Sequence, residues 1–418
     1  MSALKAGKRL DDLNKVLAIS RSMVAATELD SLLRLIIDRG MELLDAERAS
    51  LFLYEPQREE LFSRIAAGED EIRFPADRGI AGAAVKTGKT INVPDAYADG
   101  RFNPDIDRVT GFRTRNILAV PLRDYEGKLV GVLQVLNKRA GAFQDYDITL
   151  AETLAAQAGV AIQRATLIEH YLEKQRLERA MQLAREIQQG LFPRGAPAVC
   201  GFDIAGFCEP ADATGGDTYD FMPLPGGQWV LFVADATGHG IGPALVIAET
   251  RAMLRAVSLQ GPDVSAVLRI VNNLLIADLN AESFVTCFLG LLDPFARRLV
   301  YASAGHGPIL FYDRKADAFQ KFPATGLPLG VLEEADYAAV TTHCFGDGDL
   351  AVITTDGFFE AMNFDDEQFG VGRMLELLHR DRDLPAAQII ENLHEAVLEF
   401  TQGLPQADDL TALVIRKR

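Results

Sequence analysis

Five short stretches of acid and glycine in the second half of this sequence have the residue types to hold hard divalent cations. They are Gly-Gly-Asp at 215–217, Asp-Ala-Thr-Gly-His-Gly at 235–240, Ala-Gly-His-Gly at 304–307, Thr-Asp-Gly at 355–357 and Asp-Asp-Leu-Thr at 408–411. Any one Asp-Gly pair is ordinarily a solvated turn. Here the acids recur at the ends of apolar runs: 229–234 leads into Asp235, 350–355 leads into Asp356, and Asp409 precedes 410–415. Carboxylates at strand ends, beside glycines that let the backbone come close, supply the oxygen ligands that Mg2+ and Mn2+ prefer. A competing reading takes Gly238-His239-Gly240-Ile241-Gly242 as a dinucleotide loop. Its third glycine falls one residue early, Pro243 takes that place, and helices follow where a βαβ unit is required.

The elements that must carry these acids are legible from periodicity. After Pro197, strands are predicted at 202–208, 218–224, 229–234, 284–292, 298–303, 309–312, 339–344, 350–355 and 410–415. Paired helices are predicted at 242–259 with 264–279 and at 369–379 with 386–402. Runs of strands with segregated helix pairs predict two packed sheets flanked by helices. The first part alternates. Helices are predicted at 10–26 and 29–44, strands at 49–54 and 61–65, and a hairpin of 116–122 with 129–136 across 124–128. The fold class is therefore α/β and α+β.

Between the two parts, Asp145 or Asp147 is placed to cap a long helix running to about Leu191, where Pro193 and Pro197 end it. Ala161, Ala165, Ile168 and Leu172, then Leu177, Ala180, Ala184, Ile187 and Leu191, repeat at spacings of three and four. This is coiled-coil spacing with a slip in phase after Leu172. It predicts a parallel homodimer through the helix, against the alternative of a helix packed on its own domain.

Bulk properties bound the rest. The 418 residues allow two or three domains. A formal net charge of −17 would repel nucleic acid and draw in cations. No apolar run approaches the roughly 20 residues that span a bilayer, and no apolar core follows the basic start of the sequence, so neither membrane insertion nor a signal peptide is expected. Four cysteines without Cys-x-x-Cys spacing suggest a reducing, cytoplasmic setting.

The stretch from about 180 onward resembles the SpoIIE/RsbU branch of the PPM metal-dependent serine/threonine phosphatases. The resemblance rests on Glu186-Ile187-Gln188-Gln189-Gly190-Leu191-Phe192-Pro193 followed by the five motifs in order. It implies a four-layer β-sandwich with helices outside and two Mn2+ or Mg2+ ions in a cleft. Asp235 would bridge both ions, Asp217 and the Ala236 carbonyl would complete one, and Asp356 and Asp408 would hold the other. Asp409 is either a further ligand or a neighbour. Such ions would activate a shared water for in-line displacement at a phosphoserine or phosphothreonine. His239 is a candidate acid for the leaving alkoxide, His306 a weaker one, and a structural turn role for His239 stands beside the catalytic one. Thr218 and Ala236-Thr237 depart from the commoner residues of the branch without removing a side-chain ligand.

Residues 10–165 resemble a GAF domain, through Arg78-Gly79-Ile80-Ala81-Gly82, Asn92 to Tyr97, Arg101-Phe102-Asn103, Thr110 to Thr114, and Asn137-Lys138 with Phe143 and Asp147. The last group is similar to the signature of cyclic-nucleotide-binding GAF domains, with Ile148 where Glu is expected. The resemblance implies Gly79, Ile80, Ala81, Asp95, Thr110, Thr114, Lys138 and Asp147 as pocket residues, with Lys138–Asp147 a structural ion pair. A cyclic nucleotide, another small ligand and no ligand all remain open.

The expected organisation is a GAF sensor at 10–165, a helical linker at 166–195 and a phosphatase domain at 196–418. The expected substrate is a phosphorylated regulatory protein of the anti-sigma-antagonist type. The rivals are a non-catalytic phosphatase-like binding module and a cyclic-nucleotide phosphodiesterase, the latter lacking a His-Asp metal cluster.

Overall fold

A computed structural model describes residues 2–64, 72–261, 263–280, 283–342 and 344–418. The chain divides into two compact units, Met1–Arg176 and Leu177–Arg418. No helix among the described residues is long and apolar enough to cross a membrane.

The first unit begins with helices α1 (Ser2–Ala25) and α2 (Leu29–Leu44), followed by β1 (Ala46–Glu55), β2 (Glu60–Ser63) and β3 (Ile72–Pro75). Then come α3 (Gly79–Thr87), β4 (Ile91–Val93), α4 (Pro104–Thr110), β5 (Ile117–Arg123), β6 (Leu129–Lys138) and α5 (Asp145–Gln189), whose residues from Leu177 onward belong to the second unit. Its six strands form one antiparallel sheet in the order β3-β2-β1-β6-β5-β4. Period-two alternation sorts the faces. Leu51, Leu53, Leu118, Val120, Leu133 and Val135 pack with α1, α2 and α5, while Phe52, Ile117, Ala119 and Val132 pack with α3. The predicted hairpin is β5–β6. The strand expected at 61–65 ends at Ser63, and Ile65 lies outside the described residues. The short β3, β4 and α4 were not foreseen, because three to seven residues hold too little pattern to register.

Within α5 the expected seam is corrected in its first half. Ala161 and Ala165 are buried among Leu122, Ala158 and Ile162 in the first unit's own core, so they are not free for a second copy. From Leu172 onward the apolar residues of the seam are uncovered, with Leu172, Leu177 and Ile187 each more than half exposed.

The second unit holds β7 (Phe202–Glu209), β8 (Asp217–Pro223), β9 (Trp229–Ala236), α6 (Ile241–Ser258), α7 (Val264–Asp278), β10 (Val285–Asp293) and β11 (Arg298–Ala304). They are followed by β12 (Ile309–Asp313), β13 (Ala318–Phe322), β14 (Val340–Thr341), β15 (Leu350–Thr354), α8 (Gly357–Glu360), α9 (Gly370–Asp381), α10 (Ala386–Thr401) and β16 (Leu410–Lys417). Two antiparallel five-stranded sheets run β14-β11-β10-β9-β8 and β13-β12-β15-β16-β7. Leu231, Val233, Phe288 and Tyr301 of one sheet meet Ile204, Ile309, Ile353 and Leu413 of the other in a single apolar layer. The alternate residues Val230, Phe232 and Leu289 face outward onto α6 and α7, and Leu310, Val352 and Val414 onto α9 and α10. The sandwich with helices outside is therefore as expected. The strand predicted at 339–344 is reduced to Val340–Thr341, and His343 lies outside the described residues.

Candidate functional site

Strand register brings the first two acids together. Asp217 opens β8 and Asp235 lies one residue before the end of β9, directly opposite it in the antiparallel pair. Asp356 follows β15 and starts the short α8, while Asp408 and Asp409 immediately precede β16, the neighbour of β15. All five acids thus sit at strand termini.

Glycines let these segments approach. A β-carbon at Gly216 would stand 2.6 Å from the Ala236 carbonyl oxygen, and one at Gly215 would collide with the Asp409 carboxylate. A β-carbon at Gly357 would collide with the Asp409 carbonyl. The Ala236 N–H donates to the Gly216 carbonyl at 2.9 Å, which ties the two metal-type loops together.

Asp409 is buried and spends both oxygens on backbone: Ala211 N donates to Oδ1 at 2.7 Å and Asp217 N to Oδ2 at 3.2 Å. Thr355 Oγ1 donates to Asp217 Oδ2 at 2.8 Å, linking β15 to β8. Two side chains unassigned in the sequence belong here as well. Gln188 exchanges two hydrogen bonds with Gly215, and Asp212 pairs with His239 Nδ1 at 2.9 Å. Gln188 lies in the 186–193 stretch that carries the resemblance but was given no role by it, and nothing local marks Asp212; the chain path makes both neighbours of the site. The His239 side chain is 76% exposed. His306 is buried, its Nδ1 3.0 Å from Thr286 Oγ1, and burial pulls its pKa down to about 4. Burial thus favours the neutral imidazole at His306.

The electrostatics are one-sided. Burial first, then the Asp235 and Asp409 charges, push Asp217 well above the usual carboxylate range. Burial, then Asp356, Asp408 and Asp409, push Asp235 up to about 7. Asp356 is raised by burial and by Asp408, and Asp408 by burial and Asp409. Among the described residues no cation pairs with any of these four. Asp220, three residues beyond Asp217 on β8, makes the contrast: Arg251 and Arg255 reach it at 2.7 and 2.6 Å.

This donor set fits a hard divalent ion in charge and chemistry, being all oxygen and uncompensated. Among the described residues no three His, Cys, Asp or Glu side chains are grouped to hold one ion. Pairs of carboxylates suit ions that keep several waters, as Mg2+ does.

In the first unit the expected pocket residues have partners of their own. Lys138 Nζ meets Asp147 Oδ1 at 2.8 Å, and Asp147 Oδ2 accepts from Gln144 N at 2.8 Å. Asp95 caps a one-turn 3-10 helix by accepting from Tyr97 N at 3.1 Å. Thr114 N and Oγ1 donate to Asp107 at 2.6 and 2.7 Å. Ile80 and Ala81 are buried in the core, Gly79 opens α3 at φ +71°, and Thr110 closes α4. These contacts account for six of the eight residues by folding alone.

Residues 28–162 match the family model of the GAF domain, and residues 225–418 match that of Stage II sporulation protein E (SpoIIE). The chain is a GAF domain joined to a SpoIIE-type domain. Phosphoserine phosphatase RsbU of Bacillus subtilis (strain 168) is 27% identical over 247 residues, which is 59% of this chain and 72% of that protein. Probable 3',5'-cyclic phosphodiesterase pde-5 of Caenorhabditis elegans is 33% identical over 189 residues, covering 42% of this chain. The chain spans 25% of that phosphodiesterase's length, and 14% of a dual cyclic-AMP and -GMP phosphodiesterase of Drosophila melanogaster. The SiaA-PP2C domain of Pseudomonas aeruginosa shares the fold, with a TM-score of 0.52 at 20% identity over 58% of this chain and 98% of that one. In the SpoIIE-type domain, Asp217 stands ahead of the matched segment, while Asp235, Asp356 and Asp408 lie inside it.

Proposed function

We propose that this protein is a bacterial signalling phosphatase that hydrolyses phosphoserine or phosphothreonine on a regulatory protein, under control of its GAF domain. One observation carries the reading: Asp217, Asp235, Asp356 and Asp408 share strand ends, are raised by burial and by one another, and have no cationic partner among the described residues. In this reading Asp217, Asp235 and the Ala236 carbonyl would hold one Mn2+ or Mg2+, Asp356 and Asp408 would hold a second beside Asp235, and Asp409 positions the 211–217 segment. When bound, the ions supply an activated water and neutralise charge on the phosphoryl oxygens. The side chains fix the ions and keep the site acidic. Cys208 and Cys287 supply no thiolate nucleophile, because burial pushes both thiols up. The kinship to a phosphoserine phosphatase supports the substrate class. An anti-sigma-antagonist substrate, a cytoplasmic setting and a homodimer through the exposed part of α5 complete the proposal. A cyclic nucleotide is the first ligand to test on the GAF domain, given the likeness to cyclic-nucleotide phosphodiesterases.

The second reading, a binding module without turnover, draws on the absence of any three-carboxylate group among the described residues. Hydrolysis of a phosphoserine peptide with Mn2+, with and without cyclic AMP or cyclic GMP, separates the two. Turnover that falls in Asp235→Asn supports the enzyme. Unchanged turnover in that variant sinks the site, and Mn2+ binding without turnover favours the module.

A further inference from the structure

The last turns of α5 carry one buried side chain. Between Leu172 and Gln189 every residue is exposed or half-exposed except Gln188, which is 8% exposed. Its amide is spent on one residue. Nε2 donates to the Gly215 carbonyl at 2.6 Å, and Oε1 accepts from the Gly215 N–H at 3.0 Å. A primary amide that engages both backbone groups of one residue acts as a strand neighbour would, fixing position and orientation together. Gly215 lies two residues before Asp217, and from its other side the segment is held by Asp409. A side chain at 215 would strike that carboxylate, so this stretch of backbone is clasped between Gln188 and Asp409 with no room to drift.

We propose that Gln188 is a positioning residue for Asp217, setting the divalent-cation affinity at the Asp217–Asp235 pair through the Gly215 backbone. The proposal rests on the reading that this pair holds a metal ion. It also gives the end of α5 a defined handle on the site. Successive helical residues are about 100° apart, so a turn of the helix by one residue would carry Gln188 off Gly215 and present Ile187 or Gln189, neither of which is buried.

The test uses the full chain with Gln188→Leu, Gln188→Glu and, as a neighbouring control, Gln189→Leu. Leucine keeps the bulk and removes both hydrogen bonds. Glutamate keeps the acceptor but sets a carboxylate against the Gly215 carbonyl. Calorimetric titration with Mn2+ should show affinity about 10- to 100-fold weaker in both Gln188 variants, the range for lost outer-shell partners, and unchanged in Gln189→Leu. Turnover at saturating Mn2+ should stay within about threefold of wild type, since an ion that binds restores the loop. Amide exchange in the metal-free protein should quicken at 211–217 alone. Equal Mn2+ affinity in wild type and Gln188→Leu overturns the proposal and leaves the phosphatase reading intact. Loss of cooperative unfolding in both Gln188 variants also overturns it, making Gln188 a folding residue only. A wild-type protein that binds no Mn2+ overturns the metal reading itself, and this proposal with it.

Discussion

Asp147 in the GAF domain and Asp217 in the SpoIIE-type domain are both buried carboxylates, and they differ in what neutralises them. Asp147 has Lys138 at 2.8 Å and a backbone N–H besides. Asp217 accepts from the Thr355 hydroxyl but faces Asp235 and Asp409, with no cation among the described residues. A buried charge must be paired or must neutralise. Asp147 is paired by the chain and so serves the fold. Asp217 has no such lysine among the described residues, which is what the proposed metal site requires of it. The Asp220 pairing with Arg251 and Arg255, on the same strand as Asp217, shows that this domain supplies arginines where it needs them.

The largest effect expected from breaking this contrast is at Asp235. Asp235→Asn should cut Mn2+-dependent turnover roughly 100- to 1,000-fold, more than a lost outer-shell group would, and weaken Mn2+ binding measured by calorimetry. Next is a pH dependence in chelator-treated protein. The folded Asp235 carboxyl titrates at about 7 against an ordinary 3.8, so the folded state holds a proton that the unfolded chain releases. Its contribution is therefore full below about pH 4 and is lost as pH rises through 7, by at most about 4 kcal/mol. Urea midpoints at pH 5 and pH 8 should show more than half of that loss in wild type and much less of it in Asp235→Asn, with Mn2+ removing the difference. A wild-type midpoint that rises with pH would contradict the crowding of carboxylates.

Lys138→Met tests the other side. Stranding Asp147 should cost the GAF domain about 3 kcal/mol, seen as a lower urea midpoint, with Mn2+ binding by the SpoIIE-type domain unchanged. The smallest effect is assigned to His239. A general acid ordinarily contributes about 100-fold or more, but His239 is 76% exposed and paired with Asp212. His239→Ala should lower kcat less than about tenfold, and a larger fall would restore it as the leaving-group acid.

Much of this molecule was readable without coordinates. Strand and helix runs emerged because alternation and 3.6-residue periodicity report which face is buried: Val230, Phe232 and Ala234 turn one way, Leu231 and Val233 the other. The acids of the site stood out because Asp beside Gly at successive strand ends is a pattern that turn chemistry alone does not repeat. The short elements β3, β4 and α4 were missed because few residues carry little periodicity. The first half of the α5 seam misled because Ala161 and Ala165 satisfy heptad spacing and a domain core equally well; both surfaces accept small apolar residues.

What the sequence determined by itself is the longer elements and the acidic composition of the candidate site, since both depend on residue type and local spacing. The long-range partnerships of the site were decided by the tertiary structure alone. That Asp409 spends its oxygens on Ala211 and Asp217, and that Gln188 grips Gly215, are facts about residues far apart in the chain; the Lys138–Asp147 pair, nine residues apart, was already expected from the resemblance. A hydrogen bond or ion pair depends on distances of about 3 Å, and only packed strands and helices bring such residues that close.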